Sequence, residues 1–78
     1  MDILEEIKKA ILAEIPDAEV KVSGGGGHFN IEVTSSIFEG KRLLKQHQIV
    51  LQSIKELMKG NDAPVHAVDS LICKLPTS

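Results

Sequence analysis

Three histidines have the most chemistry open to them in this sequence: His28 directly after four glycines, His47 within a helical pattern, and His66 where the last apolar run begins. A neutral imidazole is the commonest transition-metal ligand, and its ordinary pKa of about 6.5 also suits proton transfer near neutrality. Two such ligands leave a site open, because structural zinc takes about four protein ligands and catalytic zinc about three. If His28 and His66 bind a metal, something else completes the shell, and another protein is one source. His47 lies one turn from Leu43 and Val50 on the same helix face, which predicts a packed, structural imidazole with a ring nitrogen hydrogen-bonded.

The glycines of "SGGGGHFNIEV" invite a phosphate-binding reading, which their context does not support. A P-loop needs Gly-Lys-Ser/Thr entering a helix, and a dinucleotide fingerprint needs its glycines at a strand-to-helix turn. Here the glycines lead into a strand, with no helix N-terminus to hold an anion. What they predict is a mobile hairpin tip that lets backbone approach a partner and lets His28 swing into place. Cys73 follows Leu71 and Ile72 in an apolar run and predicts an inert, packed thiol. The serines lack a Gly-x-Ser-x-Gly elbow, and the carboxylates are scattered over helix surfaces, so the residues do not argue for an enzyme. Lys41, Arg42 and Lys45 gather at the start of the second helix, where cations oppose the macrodipole by a few tenths of a kcal/mol each. An anion or an acidic partner docking there would relieve them.

Composition narrows the partners. The chain has 78 residues, one small domain's worth, and a formal net charge of -2, so there is no global pull toward polyanions. Phe29 and Phe38 are its only aromatic residues, too few for a nucleic-acid surface built on stacked rings. One cysteine makes neither an internal disulfide nor a thiolate cage and fits a reducing compartment. The acidic first turns resemble neither a signal peptide nor an Arg-rich transit sequence, and no apolar run approaches the ~20 residues of a membrane span. The expectation is a soluble, cytoplasmic protein.

The elements that must position these residues follow from periodicity. In "MDILEEIKKAILAEIPDAE", Ile3, Ile7, Ile11 and Ile15 recur every four residues, one helical stripe ended by Pro16. "AEVKVS" places Val20 and Val22 on one strand face, and "HFNIEVT" places Phe29, Ile31 and Val33 opposite His28, Asn30 and Glu32. The pair forms a hairpin across the glycines. "SSIFEG" is a turn, and from Lys41 to Lys59 the residues Leu43, Leu44, Val50, Leu51, Ile54, Leu57 and Met58 follow helical spacing until Gly60, with Leu43, Val50, Leu51 and Ile54 marking the buried stripe. "GNDAP" is a loop, and "VHAVDSLICKL" a strand partly covered on both faces. The order α-β-β-α-β predicts an α+β, two-layer domain with a mixed three-stranded sheet, its second and third strands parallel through a right-handed crossover.

Three stretches resemble one family. "FEGKRLLKQHQIV", Phe38 to Val50, is similar to the signature of the BolA-like proteins, a Phe-x-Gly-Lys start followed by a Gln/Arg-His pair and a valine; "GGGGHF" resembles their hairpin loop, and "VHAV" the His-Ala that opens their last strand. The matches run from Gly24 to Ala67 in order. The resemblance implies one BolA-like domain over residues 1–78, with a fold similar to the class II KH fold. It also implies a non-enzymatic adaptor that pairs with a monothiol glutaredoxin and shares a [2Fe-2S] cluster with it, in iron-sulfur trafficking or iron signalling. Carried over, the ligands from this chain are His28 and His66, with a glutaredoxin cysteine and a glutathione thiolate as the others. Imidazole ligation raises a cluster's potential relative to thiolate ligation, and protonation of the imidazole releases it. Where family members continue through a Thr-Pro and an aromatic-containing short helix, this sequence reads "KLPTS". The alternative implied by a KH-like fold is a DNA- or RNA-binding transcriptional regulator using Lys41, Arg42 and Lys45; the acidic net charge and the lack of a Gly-x-x-Gly between two helices stand against it.

Overall fold

The computed structural model describes residues 2–60 and 63–76, so Asn61 and Asp62 of the "GNDAP" loop, and Thr77 and Ser78 of "KLPTS", lie outside the described residues. Helix α1 (Ile3–Glu14) begins where the Asp2 carboxylate accepts a hydrogen bond from the Leu4 N–H at 3.0 Å, with Glu5 and Glu6 in the first turn where the helix dipole favours them. Its stripe is as the spacing predicts: Ile7, Ile11 and Ile15 are fully buried. Pro16 has no N–H to continue the ladder, and the chain turns into strand β1 (Glu19–Gly25).

Strand β2 (His28–Thr34) is the centre of a three-stranded sheet ordered β1-β2-β3, antiparallel to β1 and parallel to β3 (Ala67–Lys74). Its alternation sorts the faces: Phe29, Ile31 and Val33 are buried under the helices, while His28 and Asn30 face outward. Half-buried Val20 and Val22 of β1, and Val68, Leu71 and Cys73 of β3, pack against the same core. On the open face, Glu32 stands between Lys21 at 3.8 Å and Lys74 at 3.2 Å, linking the three strands. This is the mixed α+β sheet that the element order predicts.

The second helix is shorter than its pattern. Helix α2 runs Leu43–Ser53, and after Ile54 the chain tightens into a 3-10 turn, Lys55–Met58. The Ile54 N–H reaches Leu51 rather than continuing the α ladder, and the Ser53 hydroxyl donates to the Val50 carbonyl, so the α register ends there. Val50 and Ile54 are fully buried, but Leu43 is 63% and Leu44 71% exposed, and Leu51 is exposed as well. Of the stripe expected to include Leu43 and Leu51, Val50 and Ile54 are the members buried in the core, with Ile49 packed beside them.

Between β2 and α2, the buried Ser35 caps a 3-10 turn (Ser36–Phe38), its hydroxyl accepting from the Ile37 N–H at 3.1 Å. That hydroxyl also donates to Asp17 at 2.7 Å, and Ser36 donates to the same carboxylate through its hydroxyl at 2.8 Å and its N–H at 3.3 Å. Three donors converging on one carboxylate hold Asp17 below the ordinary carboxylate pKa, the Ser35 hydroxyl contributing most.

Candidate functional site

The glycine run is a tight turn rather than a mobile loop. Gly24 and Gly25 belong to β1 and pair with Phe29 and His28, leaving Gly26 and Gly27 as the two residues of the hairpin turn. Both have positive φ, +63° and +84°, as a type I′ turn requires. His28 is thus the first residue of a paired strand, not a side chain on a swinging loop.

The same turn anchors the start of β3. The Gly27 carbonyl accepts from the N–H groups of both His66 and Ala67, at 2.8 and 2.9 Å, and uses both lone pairs of that oxygen. A β-carbon on Gly27 would lie 2.2 Å from Cδ2 of His66, so the His66 ring rests against this glycine. His28 pairs with Ala67, the residue after His66, across the parallel ladder. Two histidines 38 positions apart in sequence accordingly flank one turn, and both are exposed. The hairpin positions one, and the first residues of β3 position the other.

His28 has a partner that the sequence reading missed. Its Nδ1 lies 3.2 Å from Oδ1 of Asp69. An ionised carboxylate only accepts, so the Nδ1 side of the ring donates to it, and in the neutral imidazole this contact favours the tautomer whose lone pair is on Nε2. The signal available in the sequence was faint: Asp69 lies three residues after His66 in an otherwise apolar run.

Among the described residues, no group of three or more His, Cys, Asp or Glu side chains could hold a metal ion by itself. The turn carries two exposed imidazoles, one on each side. Such a pair suits a metal that arrives with other ligands. Cys73 adds nothing to it: the thiol is half-buried against the core, and burial pushes its pKa up. His47 is half-buried on α2 as expected, but its Nε2 is enclosed with no hydrogen-bond partner among the described residues, contrary to the expected bond.

The basic residues are not equivalent. Lys41 Nζ donates to the Ile37 carbonyl and ties the 3-10 turn to the helix entrance, whereas Arg42, at the N-cap without a side-chain capping bond, and Lys45 are exposed cations. Gln46 supports the entrance from within, donating to the carbonyls of Lys41 at 2.8 Å and Phe38 at 3.3 Å. The "FEGKRLLKQH" stretch thus builds the start of α2 by side-chain-to-backbone bonds. No helix among the described residues is long and apolar enough to cross a membrane.

Comparison with known proteins agrees with this architecture. The family model described as BolA-like protein matches residues 5–75. A protein from the rpoN-murA intergenic region of Acinetobacter guillouiae is 36% identical over 64 residues, 82% of this chain and 75% of that one. Protein BOLA2 of Arabidopsis thaliana is 37% identical over 59 residues, 70% of this chain and 63% of that one, so the chain spans less than two thirds of this relative. The structure of a bolA protein homologue from Coxiella burnetii superposes with a TM-score of 0.79 at 28% identity, covering 97% of this chain and 94% of that one. The chain belongs to the BolA-like protein family.

Proposed function

We propose that this protein is a non-enzymatic adaptor that binds a [2Fe-2S] cluster jointly with a monothiol glutaredoxin, in iron-sulfur trafficking or iron signalling. The observation that carries the reading is the exposed pair at the hairpin turn: His28 with its Nδ1 against the Asp69 carboxylate, and His66 seated on Gly27. They are two ligands of a set that the other described residues do not complete. A glutaredoxin cysteine and a glutathione thiolate supply the others, in keeping with what resemblance to the family implies.

The cluster supplies electron storage and a transferable iron-sulfur unit, and mixed imidazole and thiolate ligation raises its potential relative to thiolates alone. This chain's residues present and orient. The Gly27 carbonyl fixes the backbone at His66, and the β2–β3 ladder holds His28 beside Ala67. Neither imidazole is walled off, so a docked protein can approach both.

The test is to assemble the complex anaerobically from this protein, a monothiol glutaredoxin, iron, sulfide and glutathione, and to record visible absorption and EPR for wild type, His28→Ala and His66→Ala. Each substitution is expected to shift or abolish the spectrum of the mixed complex. Unchanged spectra in both variants contradict the ligand assignment.

A further inference from the structure

Asp69 sits at an irregularity in the β2–β3 ladder. The β2–β3 register runs His28 with Ala67 and Phe29 with Val68, then jumps to Asn30 with Ser70. Asp69 is the extra residue of a β-bulge and has no partner on β2. Bulges re-aim a side chain at the cost of one ladder position, and they are frequent beside functional sites. Here the Asp69 carboxylate lies 3.2 Å from His28 Nδ1, across 41 positions of sequence.

Stability alone does not account for the contact. The side chains are 60% and 54% exposed, and exposed pairs of this kind stabilise a fold little or not at all. The consequence for the imidazole is larger. A free neutral imidazole in water favours the Nε2–H tautomer, which has its lone pair on Nδ1, toward the backbone. A carboxylate at Nδ1 reverses that preference and restricts rotation of the ring, so that Nε2 presents its lone pair outward. Carboxylate–histidine pairs of this kind orient metal-bound imidazoles generally, and their loss lowers metal affinity about 10–100-fold.

We propose that Asp69 is the positioning residue for His28: reaching its ring across the β2–β3 ladder, it fixes the Nδ1–H tautomer and aims Nε2 at a metal carried by the partner. The proposal rests on the reading of His28 as a ligand, and it makes a statement about the metal-free protein that stands without that reading.

Histidine labelled with nitrogen-15 gives the first arm. Long-range proton–nitrogen correlation spectra of the isolated protein at about pH 8.5, where imidazole is neutral, should show His28 as the Nδ1–H tautomer in wild type and as mainly Nε2–H in Asp69→Ala. Asp69→Asn, whose amide oxygen still accepts, should retain the wild-type pattern. The His66 signals serve as a fold control and should not change. Nε2–H at His28 in wild type, or the same tautomer in wild type and Asp69→Ala, overturns the proposal. In the second arm, retention of the cluster is compared in the complex assembled with a monothiol glutaredoxin and glutathione. Asp69→Ala should weaken it about 10–100-fold and Asp69→Asn should largely restore it. If His28→Ala weakens retention and Asp69→Ala does not, Asp69 has no positioning role although His28 ligates. If neither weakens it, the ligand reading itself fails, whatever the tautomer.

Discussion

The His66 imidazole lies on Gly27 so closely that a single added β-carbon would stand 2.2 Å from its Cδ2. The contact joins the hairpin turn to the entrance of β3 and explains why the turn ends in glycine. Gly27→Ala should therefore destabilise the fold by at least ~1–2 kcal/mol, the usual cost of a left-handed alanine, and should also displace the His66 ring. Gly24→Ala should cost more, because its β-carbon would meet the His28 carbonyl at 2.4 Å and backbone there cannot give way. Gly25, with ordinary φ and open space, should accept alanine with no loss and a gain of up to ~1 kcal/mol. Urea denaturation of the three variants, with the His66 ring resonances followed by NMR, checks the order.

Asp17 links stability to pH. Its pKa is held below the ordinary carboxylate value by the hydroxyls of Ser35 and Ser36, so the stability it contributes is fully present above the unfolded-state pKa and is lost as pH falls through the lower folded value. Asp17→Asn should lower the melting temperature at neutral pH. The difference from wild type should shrink as the pH is taken below about 4 and vanish once the wild-type carboxyl is protonated. Thermal unfolding at a series of pH values from 7 to 2 measures it.

Among the described residues, the enclosed Nε2 of His47 has no hydrogen-bond partner. An unsatisfied polar atom costs about 1–3 kcal/mol, and replacing it with an apolar group of similar size removes that cost. His47→Leu should thus raise stability, by about 1 kcal/mol for this half-buried site, and leave the cluster spectrum of the mixed complex unchanged. A loss of the spectrum with the fold intact would move His47 from structure to function.

The start of α2 and its C-cap should respond differently to substitution. Ile54→Ala removes a fully buried side chain and should cost about 2–5 kcal/mol. Leu44→Gln, at a position 71% exposed, should change stability by less than about 0.5 kcal/mol. Chemical denaturation of both variants decides it.

What the sequence made legible was what periodicity encodes. The Ile3 to Ile15 stripe, the outward His28 and Asn30 against the inward Phe29, Ile31 and Val33, and the crossover from β2 to β3 all follow from spacings of about four and two residues. Helical spacing could not say that Leu43 and Leu44 are exposed, because a stripe specifies a face and not which of its residues the core covers. Likewise, four glycines suggest freedom, and only the pairing of Gly24 with Phe29 and Gly25 with His28 shows that the turn is down to two. Asp69 was illegible for a related reason. Its approach to His28 depends on the pairing of His28 with Ala67, a register property that neither strand displays alone.

The most direct test of the shared-ligand account labels only this chain's histidines with nitrogen-15, assembles the complex with unlabelled glutaredoxin and glutathione, and reduces the cluster for pulsed EPR. The account predicts nitrogen-15 couplings from two imidazoles, one lost in His28→Ala and the other in His66→Ala. A reduced [2Fe-2S] signal from the intact complex with no coupling to this chain's nitrogens contradicts it.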